Sequence, residues 1–269
     1  MKSGPRGRPK RSLGQNFLID ANIQRKIVDT LGAGPDDVVL EIGPGRGALT
    51  RHLAGSVGRL VLVELDDALV AALRSEYGER TDVDVIHADV LDVRLEDHVD
   101  DPGSLIVVGN IPYNITTPII FRLLERPRPR EIVLMVQDDV ADRVVAPVGT
   151  KEYGALSIGV RCVATPEKLF RVGRNAFRPV PGVDSAILRI EPRVPEPLAL
   201  DEEDRLRRLV RAAFQWRRKQ LGKTLRDHPD LRVDSGRLEE IAERAGISLS
   251  DRPERLSPDH FSALAAALP

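Results

Sequence analysis

Short runs of β-branched and other apolar residues alternate with helical patterns through the first half of the 269-residue chain. This alternation is the feature that most constrains the fold. The predicted buried strands are Val38–Ile42, Leu60–Glu64, Val83–His87, Leu105–Val108 and Ile132–Val136. Between strands, an intervening helix returns the chain to the same edge of the sheet, and such crossovers are almost always right-handed. The pattern therefore predicts an α/β fold with a doubly wound, mostly parallel sheet.

The second half of the chain changes character at a proline-rich segment. Leu156–Val163 and Ala186–Ile190 alternate like the arms of an antiparallel sheet edge. After them, Pro192, Pro195 and Pro197 interrupt any regular element, because proline removes a backbone donor. Only helical spacing follows, over 201–214, 236–245 and 258–268. We therefore expect one domain over residues 1–192 and a small all-helical domain over 198–269.

Composition excludes several classes of site. Cys162 is the only cysteine, which rules out an internal disulfide and a cysteine-based zinc cage, and the five histidines lack the spacing of metal ligands. We expect chemistry without a protein-bound metal. No apolar run is long enough to span a bilayer, and no secretory leader is recognisable, so the expected location is the cytoplasm and no membrane partner is expected.

The formal net charge of −1 hides a strong segregation of charge. Residues 1–11 contain five basic residues and no acid. A second block, over 205–226, is also free of acids and contains Arg205, Arg207, Arg208, Arg211, Arg217, Arg218, Lys219, Lys223 and Arg226. Such blocks are often only solvated helix faces. Their density also suits a nucleic-acid backbone, and we assign RNA contacts to Arg217, Arg218, Lys219 and Lys223.

A glycine-rich turn follows the first predicted strand. Gly43 and Gly45 allow backbone N–H groups to approach a ligand closely, and Glu64 ends the next strand where its carboxylate could bind ribose hydroxyls. Asp89 follows the third strand, in position to read an adenine amino group. This crevice suits a ligand that carries an adenosine, either a nicotinamide dinucleotide or S-adenosylmethionine.

The tetrapeptide Asn110-Ile111-Pro112-Tyr113 follows the fourth strand and distinguishes the two ligands. An adenine N6 is a poor nucleophile, because its lone pair is delocalised into the ring. Asn110 and the Ile111 carbonyl could accept its two hydrogens, the carbonyl being fixed because the residue before proline avoids the α region. Tyr113 offers a face for stacking an extruded base, and Phe177 is a candidate second face. Asn and Pro are also ordinary turn residues, and Phe177 alone would more often be core.

With these residues in view, the sequence resembles the ribosomal RNA adenine N6-methyltransferases, and among them the KsgA-type small-subunit dimethyladenosine transferases. The resemblance spans nearly the whole chain. Its landmarks are Gln15–Leu18, Glu41–Gly45, Asn110–Ile115, Met135–Gln137, Tyr153–Ser157, Phe177–Ser185 and Phe214–Arg226. It implies a Rossmann-like class I methyltransferase fold, and it implies that Asn16 and Leu18 join Gly43, Gly45, Glu64, Asp89 and Asn110 in binding S-adenosylmethionine.

The resemblance also implies a substrate: two adjacent adenines near the 3′ end of small-subunit (16S) rRNA, dimethylated in an assembling 30S-type particle by an enzyme expected to act as a monomer. One alternative is a large-subunit (23S) rRNA methylase of the macrolide-resistance type, which shares the glycine turn and the tetrapeptide. Another is an RNA-binding assembly factor that has lost turnover. A small-molecule methyltransferase or a nicotinamide oxidoreductase is less favoured, because neither uses two basic blocks.

Overall fold

The computed structural model of the protein describes residues 15–269, so the basic residues at positions 2–11 lie outside the described part. The chain divides into two compact units. The first consists of the described residues up to Ala141 together with Glu167–Pro192, and it contains the cavity described below. The second consists of Asp142–Pro166 and Arg193–Pro269.

The strands of the described part are β1 Phe17–Leu18, β2 Val38–Ile42, β3 Arg59–Glu64, β4 Val83–His87, β5 Ile106–Asn110, β6 Glu131–Gln137, β7 Ala164–Val172, β8 Phe177–Arg178 and β9 Ser185–Pro192. The helices are α1 Ala21–Leu31, α2 Thr50–Leu53, α3 Asp67–Tyr77, α4 Thr116–Leu123, α5 Asp138–Val145, α6 Ala155–Arg161, α7 Leu200–Gln215, α8 Leu221–Asp227, α9 Leu238–Ala245 and α10 Pro258–Ala267. Short 3₁₀ turns connect several of them.

Seven strands form one sheet in the order β4-β3-β2-β5-β6-β9-β7. The pairs from β4 through β6 are parallel, whereas β9 pairs antiparallel with β6. Strands β2, β3, β5 and β6 are almost continuously buried, as expected for parallel strands covered on both faces. The predicted mostly parallel α/β sheet is confirmed.

The strand order reverses between β2 and β5, because the chain builds outward from β2 to β4 and then returns to the other side of β2. At such a switch point, the loops after neighbouring strands diverge and leave a crevice at their carboxyl ends. A separate two-stranded pairing joins Leu18 of β1 to Phe177 of β8. Both features position the site described below.

One predicted strand is wrong. The alternation of residues 156–163 predicts an arm of the sheet edge, but 155–161 form α6. Leu156, Ser157, Ile158 and Val160 are all buried there, so the helix shows no polar face that would reveal its period. The edge strand is instead β7, whose proline and charged residues disguise it in the sequence. The sequence pattern also misses the short elements β1, β8 and α8.

The division into units differs from the expected domains, 1–192 and 198–269, in one segment. Asp142–Pro166 belongs to the second unit. The Tyr153 hydroxyl donates to the Leu256 carbonyl at 2.7 Å, and the Cys162 thiol donates to the Pro258 carbonyl at 3.3 Å. Residues distant in sequence thus satisfy the buried polar groups of this segment, which a linear reading of the sequence does not reveal. Within 193–269 the regular elements are helical, and no helix among residues 15–269 is both long and apolar enough to cross a membrane.

Candidate active site

A cavity of about 440 Å³ opens at the carboxyl ends of β2, β3, β4 and β5. The residues predicted from the sequence to bind the methyl donor or the target base lie together in its wall, with the single exception of Phe177. They are Asn16, Leu18, Gly43, Gly45, Glu64, Asp89, Asn110, Ile111, Pro112 and Tyr113. The topology explains this grouping, since each strand delivers its last residues to the same edge of the sheet.

The glycine-rich turn after β2 forms one wall of the cavity. Gly43 and Gly45 have φ values of +62° and +59°, in the left-handed region that favours glycine. A Cβ on Gly45 would also lie 3.3 Å from the ring of Phe17. The turn is held by two bonds: Gly43 N–H donates to the Val63 carbonyl, and Gly45 N–H donates to Glu64 Oε2, 3.0 Å away.

Glu64 ends β3, and its carboxylate already accepts three backbone N–H groups. Oε1 accepts from Leu65 and Asp66, both at 2.9 Å, and Oε2 accepts from Gly45. A carboxylate has about four acceptor positions, so one lone pair of Oε2 is left for a ligand hydroxyl. Burial raises the pKa of Glu64 despite the three bonds. The two-hydroxyl contact expected from the sequence would require the Gly45 bond to open.

Two apolar residues that sequence reasoning missed line the cavity directly after the acidic ones. Leu65 follows Glu64 and is 45% exposed, and Val90 follows Asp89. Asp89 Oδ1 accepts from Leu91 N–H at 3.0 Å, which fixes its carboxylate. An adenine ring whose edge is read by a carboxylate needs apolar contacts on its faces, and these side chains can supply them. In the sequence, Leu65 and Val90 could have been identified because each directly follows an acidic residue predicted to lie at the end of a strand.

The segment before α1 covers the cavity and is anchored to distant parts of the first unit. The Asn16 carbonyl accepts a bond from Asn110 Nδ2, and Gln24 Nε2 donates to the Leu18 carbonyl, both at 3.0 Å. The guanidinium of Arg46 lies over the Phe17 ring, 4.3 Å from its centroid. Gln24 and Arg46 were not identified from the sequence.

Asn110 is the last residue of β5. Its side-chain Nδ2 donates to the Asn16 carbonyl, which leaves Oδ1 as an acceptor. Asn110 lines the cavity together with Gly43 and Glu64. The next residue, Ile111, precedes a proline, and no donor among residues 15–269 bonds to its carbonyl. Gly109 is required just before this pair, since a Cβ there would lie 2.8 Å from the Ile42 carbonyl oxygen.

Tyr113 is held in place by a residue from a different strand. Its hydroxyl bonds to Ser185 Oγ at 2.6 Å, and Ser185 is completely buried at the start of β9. Burial raises the pKa of the Tyr113 phenol, so it stays neutral. The partly exposed ring is thereby oriented beside Asn110 in the cavity wall. Sequence reasoning gave Ser185 no role, because the two residues are far apart in the chain.

The expectation that Phe177 offers a stacking face is wrong for this structure. Its side chain is completely buried in the hydrophobic core and does not line the cavity. As part of β8 it pairs with Leu18 of β1, behind the segment that covers the cavity. The alternative interpretation, that Phe177 is core, is the correct one.

The predicted RNA-binding residues lie in the second unit, at and just after the turn between α7 and α8. Arg218, Lys219 and Lys223 are exposed, and Arg217 is half-buried with its guanidinium 3.4 Å from the Lys151 carbonyl. No acidic group of the described residues pairs with these four. Four of the other five members of the basic block are paired, namely Arg205 with Asp201, Arg207 with Asp204, Arg211 with Asp230 and Arg226 with Asp227. The fifth, Arg208, is exposed and has no acidic partner among the described residues. Most of the uncompensated charge of the block is therefore at this turn.

Within residues 15–269, no group of three or more His, Cys, Asp or Glu side chains is arranged to hold a metal ion.

The fold and this site define a class I methyltransferase that uses S-adenosylmethionine as its methyl donor. The chain belongs to the ribosomal RNA adenine dimethylase family, whose model matches residues 7–261. It is therefore an rRNA adenine dimethyltransferase.

Similar proteins extend over almost the same length. The ribosomal RNA small subunit methyltransferase A of Geobacter metallireducens is 41% identical over 266 residues, covering 97% of this chain and 96% of that protein. The protein of the same name from Chlorobium luteolum is 46% identical, covering 88% and 86%.

Two crystal structures share the fold. A dimethyladenosine transferase from Plasmodium falciparum is 25% identical with a TM-score of 0.79, covering 92% of this chain and 95% of that one. The 23S rRNA methyltransferase ErmE is 29% identical with a TM-score of 0.70, covering 94% and 99%.

Proposed function

We propose that this enzyme dimethylates the N6 amino groups of two adjacent adenines near the 3′ end of small-subunit rRNA. The observation that carries the proposal is that two consecutive residues of the cavity wall each keep an acceptor: Asn110 Oδ1, which the bond to Asn16 does not use, and the Ile111 carbonyl, which no described donor reaches. Two neighbouring acceptors match the two hydrogens of an exocyclic amino group. The names of the relatives, which are small subunit methyltransferases, supply the target.

The residues of the cavity fit S-adenosylmethionine. The glycine turn leaves space that a Cβ would fill, and Glu64 and Asp89 provide acceptors for the ribose and the adenine amino group. Leu65 and Val90 provide the apolar contacts. When bound, the donor supplies an electrophilic methyl group on a cationic sulfur.

Asn110 and Ile111 then act on the target base. Accepting both N–H groups fixes the amino nitrogen and favours the pyramidal geometry in which its lone pair points at the electrophile. Tyr113, held by Ser185, stacks on the extruded base, an interaction worth roughly 1–3 kcal/mol. The nitrogen becomes cationic when it gains the methyl group, so its proton can leave to water without a strong base.

The phosphates of the RNA are attracted by the turn between α7 and α8, where Arg217, Arg218, Lys219 and Lys223 have no acidic partner among the described residues. The basic residues at positions 2–11 add to this attraction. Phosphate contacts position an RNA without reading its sequence. Specificity for small-subunit rRNA thus comes from the shape of an assembling 30S-type particle. We further propose that the enzyme acts as a monomer in the cytoplasm.

The competing target is large-subunit rRNA, because ErmE also matches nearly the whole chain. The experiment that separates the two incubates unmethylated small subunits and large subunits with labelled methyl donor and maps the modified nucleotides. The proposal requires label on two adjacent adenines of the small subunit. Label confined to the large subunit would replace it with the alternative, and donor binding without turnover on either particle would favour the silent assembly factor.

A further inference from the structure

Glu41 is a buried carboxyl in the cavity wall that the function proposed above does not use. It lies in β2, two residues before Gly43, and only 2% of it is exposed. Among residues 15–269, one hydrogen-bond donor reaches the Glu41 carboxyl, namely Thr50 Oγ1 at 2.7 Å. Thr50 is itself completely buried. A carboxyl in this setting has almost no water to stabilise a negative charge.

The groups that face Glu41 do not neutralise it. Glu64 on β3 repels its charged form, and Tyr77 on α3 offers no positive charge. Arg51 on α2 is the cation that favours ionisation, and it acts more weakly than burial, the Thr50 bond and the repulsion from Glu64. The balance raises the pKa of Glu41 to about 8, so the ligand-free enzyme carries it largely protonated at neutral pH.

The ligand of this cavity changes that balance, because S-adenosylmethionine carries a sulfonium cation and its product, S-adenosylhomocysteine, has a neutral thioether at the same position. At an effective dielectric constant of about 20, a unit charge anywhere within about 8 Å of a carboxyl shifts its pKa by more than one unit, and Glu41 lines the cavity in which the donor would lie. Both molecules carry the same amino and carboxyl groups. The sulfonium is therefore the one charge that differs.

We propose that Glu41 is a charge-sensing specificity residue that gives up its proton to solvent when the sulfonium donor binds and regains a proton when the neutral product replaces it. The ionised carboxylate stabilises the donor, and reprotonation removes that stabilisation from the product. The inference rests on the proposed function, since it needs the donor in this cavity. In this role Glu41 favours binding of the charged donor over the neutral product. Neutral hydrogen-bonding groups in the cavity wall do not distinguish the two ligands by charge.

Proton counting by isothermal titration calorimetry tests this directly. Each ligand is titrated into the full-length protein near neutral pH in two buffers of different ionisation enthalpy, so that the buffer dependence of the heat gives the protons exchanged. Glu41 should release on the order of half to one proton more with the methyl donor than with the product. The sulfonium also lowers the pKa of the donor's own amino group, so this ligand contribution is subtracted by repeating both titrations with Glu41→Gln.

The variant Glu41→Gln preserves size and should remove the roughly half to one proton that Glu41 contributes to the donor–product difference. It should also remove the rise of donor affinity toward pH 8 that Glu41 causes, which can reach about tenfold per pH unit. Thr50→Val removes the hydrogen bond that favours ionisation and should move that rise to higher pH. Product binding reports whether each variant is folded.

A donor–product difference that is the same in the parent protein and in Glu41→Gln would overturn the inference. Failure of the donor to bind at all would instead remove the proposed function, and the inference with it.

Discussion

The side-chain amide of Asn110 donates a hydrogen bond to the backbone carbonyl of Asn16, which lies 94 residues away in the sequence and 3.0 Å away in space. This bond uses the amide nitrogen and leaves Oδ1 as the acceptor of the side chain. In the proposed function, that oxygen is thereby oriented before the substrate binds. Orientation of this kind lowers the reorganisation that catalysis would otherwise require.

Replacing Asn110 with Ala should abolish this acceptor. Removing one preorganised group of this type costs on the order of 10²–10³ in kcat. We expect a loss of that size in single-turnover methyl transfer to unmethylated small subunits, with donor affinity reduced by less than tenfold. Asn175→Ala, an exposed asparagine outside the cavity, is the matched control. Near-normal turnover of the Asn110 variant would exclude the proposed geometry.

Glu64→Gln should weaken donor binding more than it slows chemistry. The Glu64 carboxylate accepts from the backbone N–H groups of Leu65, Asp66 and Gly45. The amide nitrogen of Gln cannot accept a hydrogen bond, so at least one of these N–H groups loses its partner. Hydrogen bonds to charged groups contribute roughly 1.5–3 kcal/mol, which corresponds to about 10- to 100-fold in Kd. Calorimetry measures the change, with exposed Glu79→Gln as control. An unchanged Kd would remove Glu64 from the donor site.

The bond between Tyr113 and Ser185 should affect turnover through ring orientation. Ser185→Ala and Tyr113→Phe each break the same bond, so each should lower kcat several-fold, and the double variant should be no worse than either one. Tyr113→Ala also loses the ring and should be slower still. Donor affinity should stay unchanged throughout. Additive effects in the double variant would show that Ser185 acts independently of Tyr113.

Charge at the turn between α7 and α8 should determine the salt dependence of RNA binding. Removing one basic side chain that binds a phosphate lowers the slope of log K against log salt by roughly 0.7–0.9. The triple change of Arg218, Lys219 and Lys223 to Gln should therefore reduce the slope by about 2. The control changes Arg207, Arg211 and Arg226 to Gln, which removes the same charge from residues that are paired with Asp204, Asp230 and Asp227. Equal slopes for the two sets would show that the turn is only a solvated face.

Glu41 should also make the stability of the ligand-free enzyme depend on pH. Because burial raises its pKa to about 8, the folded state holds a proton that the unfolded state releases between about pH 4.5 and 8. Its contribution to stability is therefore present at low pH and is lost as pH rises through that window. Relative to the parent, the free energy of unfolding of Glu41→Gln should increase by up to about 1.4 kcal/mol per pH unit across the window. Above the window the difference should stay constant. Denaturant unfolding measured between pH 5 and 9 gives the comparison, and a pH-independent difference would contradict the buried, neutral carboxyl.

Much of the first unit could be predicted from the sequence, because parallel strands are continuous apolar runs and each ends in residues that meet at one edge. Gly43, Glu64 and Asn110 were expected at one site for this reason, and they line one cavity in the structure. Ser185 and Gln24 could not be found, since their roles depend on long-range pairing of β9 and on the path of the segment before α1. Phe177 was misassigned because an aromatic residue beside prolines looks the same in sequence whether its ring is packed or open. Helix α6 was misread because its buried apolar residues Leu156, Ile158 and Val160 alternate along the sequence as those of a strand do.

The pairing of Leu18 in β1 with Phe177 in β8 has a consequence for synthesis of the chain on the ribosome. The cover of the donor cavity is completed only when a strand made late in translation returns to one made at the start, and Ser185 must arrive to orient Tyr113. Until β8 and β9 have been made, neither the pairing of Leu18 with Phe177 nor the bond between Tyr113 and Ser185 can form. The cavity wall seen in the folded protein therefore requires about the first two thirds of the chain.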